Sequence, residues 1–139
     1  MNANYMCGKY IKQIHDELEK RANALLGSQN LTLAQMHVLM ELESAPERQL
    51  SLKQLEGVLH VAQPTAAGIV RRLEQKGYVA CAADANDRRA KQVRITAEGL
   101  DCCKDAQLHI EDMEDHLLSG LTETEKVLFQ SLLKKVCEE

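Results

Sequence analysis

Three tetrads of the form S/T-x-x-E/Q constrain this chain more than any other feature: TLAQ (Thr32 to Gln35), SLKQ (Ser51 to Gln54) and TETE (Thr122 to Glu125). In such a capping box the hydroxyl accepts one orphan N–H of a helix's first turn. The fourth side chain reaches back to the N–H of the capping residue. Each tetrad opens a segment whose apolar residues recur every three or four positions. A helix is therefore predicted from Thr32 to about Ser44, with Met36, Leu39, Met40 and Leu42 inward. A short one runs from Leu52 to Leu59, with Leu55, Val58 and Leu59 as its apolar positions. A last one runs from Glu123 to near Cys137, striped by Val127, Leu128, Leu132, Leu133 and Val136.

The remaining segments fit between these. A first helix is expected from about Tyr5 to Leu26, with Ile11, Ile14, Leu18, Leu25 and Leu26 on one side and Gly27-Ser28 at its end. A fourth begins near Gln63-Pro64, where a first-turn proline forfeits no hydrogen bond, and stops at Gly77, suited to a left-handed cap. After Gly77 the period changes. YVACA and KQVRI alternate as two short strands, with Val79, Cys81, Val93 and Ile95 on the inward face. Asp84, Asn86 and Asp87 supply turn chemistry between them. Thr96 then caps a long helix to about Ser119.

The predicted fold is mainly α with a small β-hairpin wing, a winged helix-turn-helix flanked by long N- and C-terminal helices. The terminal helices carry more apolar surface than one small domain needs, and a homodimer interface between them is the economical account. The 139 residues read as one chain-long unit. Residues 32–95 form the winged helix-turn-helix, and 1–30 and 97–139 the helical dimerisation region.

Charge singles out one face. The chain is acidic, with 17 Lys+Arg against 21 Asp+Glu and a net charge of −4. Yet between Gln63 and Ile95 seven cations (Arg71, Arg72, Lys76, Arg88, Arg89, Lys91, Arg94) face only three anions, Glu74, Asp84 and Asp87. This basic stretch coincides with the second helix of the pair and the hairpin, the two elements a winged helix lays on DNA. Double-stranded DNA carries one phosphate charge per ~1.7 Å of axis and is the obvious counterpart. The acidic remainder, including Glu111, Asp112, Glu114 and Asp115, would restrict docking to that face.

Composition removes other classes. Aromatic residues are 3% of the chain, too few for a platform that stacks single-stranded bases. No apolar run approaches the ~18–20 residues of a membrane span, and MNANYMCGKY lacks the basic-then-apolar order of a signal peptide. A cytoplasmic protein is expected, with its five cysteines reduced. No Gly-rich phosphate loop, nucleophile–base pair or paired carboxylates point to an enzyme, and no cofactor is expected.

LTLAQMHVLMEL, QPTAAGIVRRLEQKGYV and DRRAKQVRITAEG together resemble the MarR (multiple antibiotic resistance regulator) family of bacterial transcription factors. The wing signature, D-x-R followed by a strand and L/I-T-x-x-G, is met by Asp87, Arg89, Ile95, Thr96 and Gly99. The resemblance implies a homodimer on a pseudo-palindromic operator, usually a repressor, released by a small ligand or an oxidant. It implies that Arg89 enters the minor groove, that Arg88 beside it is a phosphate or groove contact, and that Asp87 orders the wing; Lys91 is a further DNA-binding candidate. Thr65 matches a polar position near the bases, Gln63 starts the recognition helix, and Arg72 with Arg71 matches basic positions further along. The chain departs from the pattern at Ala62, where a capping Ser or Thr is usual, at Ala67 and Gly68, where polar side chains are common, and at Cys81, usually arginine.

The effector is less legible. The resemblance implies a pocket between the dimer helices and the winged domain, and Met36, His37 and Met40 are its candidate lining. A peroxide-sensing branch of the family uses a cysteine near the start of the first helix, which makes Cys7 the candidate redox thiol. The tyrosine positions of that branch hold Ala22 and Leu33 here, although Tyr5 and Tyr10 are near. His37 with Glu41 and His109 with His116 form no metal-ligand motif, and no metal is expected. The rival reading is a winged-helix protein-interaction module that no longer reads DNA.

Overall fold

The computed structural model describes residues 6–27, 30–83 and 91–138. Six helices and three strands follow in order: α1 (Cys7–Leu26), α2 (Leu33–Ser44), β1 (Gln49–Ser51), α3 (Leu52–Leu59), α4 (Gln63–Gln75), β2 (Val79–Ala83), β3 (Lys91–Ile95), α5 (Ala97–Leu117) and α6 (Glu123–Cys137). All three capping boxes form, each with the hydroxyl accepting from the residue three on and that residue's side chain accepting in return. Local chemistry thus marks where α2, α3 and α6 start.

The core lies where α2 meets α3, α4, α5 and the sheet. Met36, Val38, Leu39 and Leu42 of α2 are fully buried, together with Leu55, Leu73, Val93 and Cys103. Leu26 and Ala22 bring the C-terminal half of α1 into the same cluster. Asn23 Oδ1 accepts from the Leu33 N–H at 3.0 Å, tying α1 to the start of α2. The N-terminal half of α1 differs from expectation: Ile11 is largely exposed, and Ile14 and Leu18 are half-buried.

The wing is larger than the expected hairpin. β2 and β3 pair antiparallel, with Val79 opposite Ile95 and Ala83 opposite Lys91. On the other edge of β3 lies β1, with Gln49 opposite Arg94 and Ser51 opposite Gln92. The sheet order is β1-β3-β2. Leu50, half-buried and opposite Val93, is the apolar side chain that seats this third strand. Three residues are too few to show alternation in sequence. The turn before it, Pro46–Arg48, carries Glu47 and Arg48 at φ 57° and 56° with no glycine to announce it.

Gly77 adopts φ 80°, as the capping reading requires. The Thr96 hydroxyl accepts from the Gly99 N–H at 3.0 Å and donates to the Gly77 carbonyl at 2.6 Å. The Thr96 N–H donates to the Tyr78 carbonyl at 3.0 Å. One threonine therefore caps α5 and fastens it to the turn that ends α4.

Candidate nucleic-acid interface

Helices α3 and α4 are joined by His60-Val61-Ala62. His60 takes the left-handed conformation, φ 55° and ψ 45°, and its N–H closes the C-terminus of α3 onto the Glu56 and Gly57 carbonyls. The next helix starts at Ala62 with no side-chain cap. Its inward stripe is Ala66, Val70 and Leu73, spaced four and three apart and buried. The opposite side holds Gln63, Thr65, Arg71 and Arg72, all exposed.

Helical spacing arranges these in two lines. Thr65 and Arg72 are two turns apart on one line with Gly68 between them, and Gln63, Ala67 and Arg71 form the other. Nothing lies within 4 Å of where a Gly68 Cβ would stand. The exposed face is therefore low in its middle and polar or basic at both ends. A groove-entering helix of this shape contacts DNA through its first turn and its arginines, leaving shape readout a large share of any sequence preference.

The wing brings Lys91 to the last β2–β3 pair, exposed, opposite Ala83. Arg88, Arg89 and Asp87 lie outside the described residues. Two cations of the basic stretch have other partners. Arg94 Nη2 donates to Gln49 Oε1 across the sheet at 3.1 Å. Lys76 turns inward, donating to Gln35 Oε1 at 2.9 Å and to the Asn30 carbonyl. Burial, with Arg72 adding to it, lowers the Lys76 pKa, while Cys102 opposes the shift. Gln35 is the buried polar residue of the core, 5% exposed. Lys76 thus holds the foot of the recognition helix to the α1–α2 junction, a role that charge counting along the sequence did not disclose.

The candidate effector residues separate. Met36 is wholly buried in the core. His37 and Met40 line a cleft of about 240 Å³ with Glu41, Val58 and Leu59. His37 also walls a second cleft of about 330 Å³, shared with His15, Glu19, Asn23, Thr32, Leu33 and Ala34. Burial lowers the His37 pKa, and the neighbouring Glu41 carboxylate partly opposes this. Among the described residues no group of three or more His, Cys, Asp or Glu side chains is placed to hold a metal ion.

Cys7, the first residue of α1, is exposed, as is Cys137 at the end of α6. The other thiols are pushed up and so kept protonated. Burial raises Cys81, helped by Glu74, and raises Cys102, which also bonds the Tyr78 hydroxyl. Cys103 rises from the ordinary 9.0 to about 11 through burial and the nearby Glu43. A raised folded value contributes stability that is fully present below the unfolded value of 9.0 and is lost as pH rises through about 11. Urea midpoints measured across that window should fall more steeply for the wild type than for Cys103→Ala. Parallel pH profiles would show that this thiol does not govern alkaline stability.

Residues 31–91 match the MarR family. The multiple antibiotic resistance protein MarR of Escherichia coli (strain K12) is 29% identical over 130 residues, spanning 93% of this chain and 89% of that protein. Two solved structures share the fold in the presence of DNA. A mutant MarR from E. coli complexed with operator DNA aligns with TM-score 0.84 and 28% identity, covering 93% of this chain and 91% of that one. The S. aureus MepR–DNA complex aligns with TM-score 0.85 and 25% identity, covering 99% and 98%.

Proposed function

Because this chain belongs to the MarR family of DNA-binding winged helix-turn-helix transcriptional regulators, we propose that it acts as a homodimeric repressor of a pseudo-palindromic operator. The observation that carries this reading is the outward face of α4. Gln63, Thr65, Arg71 and Arg72 are exposed together, while Ala66, Val70 and Leu73 fix the opposite side to the core. A helix anchored in this way presents one polar, basic surface to the major groove. The relatives' complexes with operator DNA and with DNA support the same partner for this chain. Residues 32–95 serve as the DNA-reading unit, and 1–30 with 97–139 as the dimerisation region.

Within this reading Thr65 and Gln63 approach base edges, and Arg71, Arg72 and Lys91 neutralise phosphates. Arg89 enters the minor groove with Arg88 beside it, and Asp87 orders the wing. Release comes from a small ligand in the clefts around His37 and Met40 or from oxidation at Cys7. The cytoplasm, where a repressor meets its DNA, is the proposed location.

Fluorescence anisotropy on the duplex upstream of the protein's own gene, against scrambled DNA at several salt concentrations, tests the proposal. Specific binding with a slope near −0.9 per neutralised phosphate is expected. Arg89→Ala should weaken operator binding by about 1–3 kcal/mol for each wing arginine withdrawn from a base edge, two per dimer, without changing the dimer. Unchanged affinity in that variant would remove the wing from the mechanism. Failure to bind any duplex at low salt would favour the protein-interaction module instead.

A further inference from the structure

We propose that Lys53 is a phosphate contact of the DNA-bound protein, extending the interface from the recognition helix and wing to the start of α3. The proposal rests on the DNA-binding reading above and adds a residue to it.

The sheet register carries the argument. β3 begins at Lys91, opposite Ala83 at the end of β2, and runs away from that end of the sheet. β1 is antiparallel to β3, so it runs toward the Lys91 end of the sheet, finishing with Ser51 opposite Gln92. Ser51 is also the N-cap of α3. Lys53 therefore follows the end of the sheet where β3 begins at Lys91, two residues beyond Ser51. It is exposed, and it makes no hydrogen bond or ion pair with the other described residues.

Helix stability does not account for a lysine there. Lys53 is the one cation of α3, and it stands in the first turn. A positive charge at that end opposes the helix dipole. A phosphate reverses the sign of the local interaction. The first helix of a helix-turn-helix pair crosses the DNA backbone, and a lysine serves there as a point charge.

Arg94 provides the contrast. It lies three residues down β3 from Lys91, ~10 Å further along the strand, and its guanidinium is bonded to Gln49. Register along one strand therefore separates a cation at the DNA-facing end of the sheet from one at its root.

The test uses the full chain and a mixed-sequence duplex, because phosphate contacts are independent of sequence. Anisotropy titrations over a series of salt concentrations give the slope of log affinity against log salt. Lys53→Gln is expected to make that slope shallower by about 0.9 per phosphate no longer neutralised, roughly 1.8 for a dimer. Its melting temperature should equal or exceed that of the wild type. Lys53→Arg should keep the wild-type slope, and so should Arg94→Gln. A wild-type slope in Lys53→Gln, or an equally shallow slope in Lys53→Arg, overturns the proposal while leaving the regulator reading intact. A wild-type protein that binds no duplex at low salt overturns both.

Discussion

Gly99→Ala is expected to lower the melting temperature by about 10 °C. A Cβ at Gly99 would stand 2.1 Å from the Tyr78 carbonyl oxygen, 2.8 Å from Ile95 Cγ1 and 3.0 Å from the Tyr78 carbonyl carbon. Two of these atoms are backbone, so no rotamer change relieves the clash. The Tyr78 carbonyl cannot retreat freely, because it accepts the Thr96 N–H, while Thr96 itself is fastened to Gly77. Overpacking of a tight site costs ~1–3 kcal/mol and more where backbone must move. For a chain of this size each kcal/mol shifts the midpoint by roughly 3–5 °C. Gly68→Ala is the matched control. The space around Gly68 is open, and alanine within a helix is favoured over glycine by about 0.5–1 kcal/mol. Melts at equal protein concentration should move in opposite directions for the two variants. If Gly99→Ala melts with the wild type, the close approach of α5 to the wing root is not a constraint.

Leu128→Glu combined with Leu132→Glu is expected to turn the protein into a monomer. Helix α6 buries no residue against its own chain. Val127, Leu128, Leu132, Leu133 and Val136 are 71%, 57%, 50%, 42% and 67% exposed. On α1, Tyr10 and Ile11 are similarly bare, at 57% and 53%. Between α1, α5 and α6 lies a groove of about 400 Å³ walled by Ile14, Leu18, Leu117, Phe129 and Leu133. A fifteen-residue helix with its apolar stripe in water is marginal alone. Burying each such Leu or Val against a partner contributes ~1.5–3 kcal/mol. Light scattering coupled to size exclusion should read about twice the 15.6 kDa protomer mass for the wild type and the protomer mass for the double variant. Operator affinity should fall with it, since two half-sites need two recognition helices. A double variant that stays dimeric would place the interface elsewhere, and a monomeric wild type would remove the homodimer from the proposed function.

The exposed face of α4 was legible in the sequence because it is local. Gln63, Thr65, Arg71 and Arg72 follow from helical spacing once Ala66, Val70 and Leu73 are assigned inward, and the structure exposes all four. The effector candidates were less legible. His37 and Met40 reach a cleft, whereas Met36, next to His37 in sequence, is core. Hydrophobic spacing places Met36 inward, and the core takes it in place of the pocket that the resemblance implied. Val58 shows the converse. It fits the apolar stripe of α3 yet is 46% exposed, because α2 and α4 cover Leu55 and leave its flank open as the wall of that cleft.

The sequence by itself determined where helices start, where the chain reverses and which strand faces turn inward. Capping boxes, a left-handed glycine and two-residue alternation act within a few residues, so they are written locally. Only the tertiary structure decided what distant segments do to one another. Lys76 leaves the basic face because its ammonium finds Gln35 and Asn30, 41 and 46 residues away. Three residues, Gln49–Ser51, become a strand because β3 offers an unpaired edge. Gly99 admits no side chain because a carbonyl 21 positions earlier in the numbering occupies the space. In each case the deciding partner is brought close by packing of the core, and no pattern along the chain records that distance.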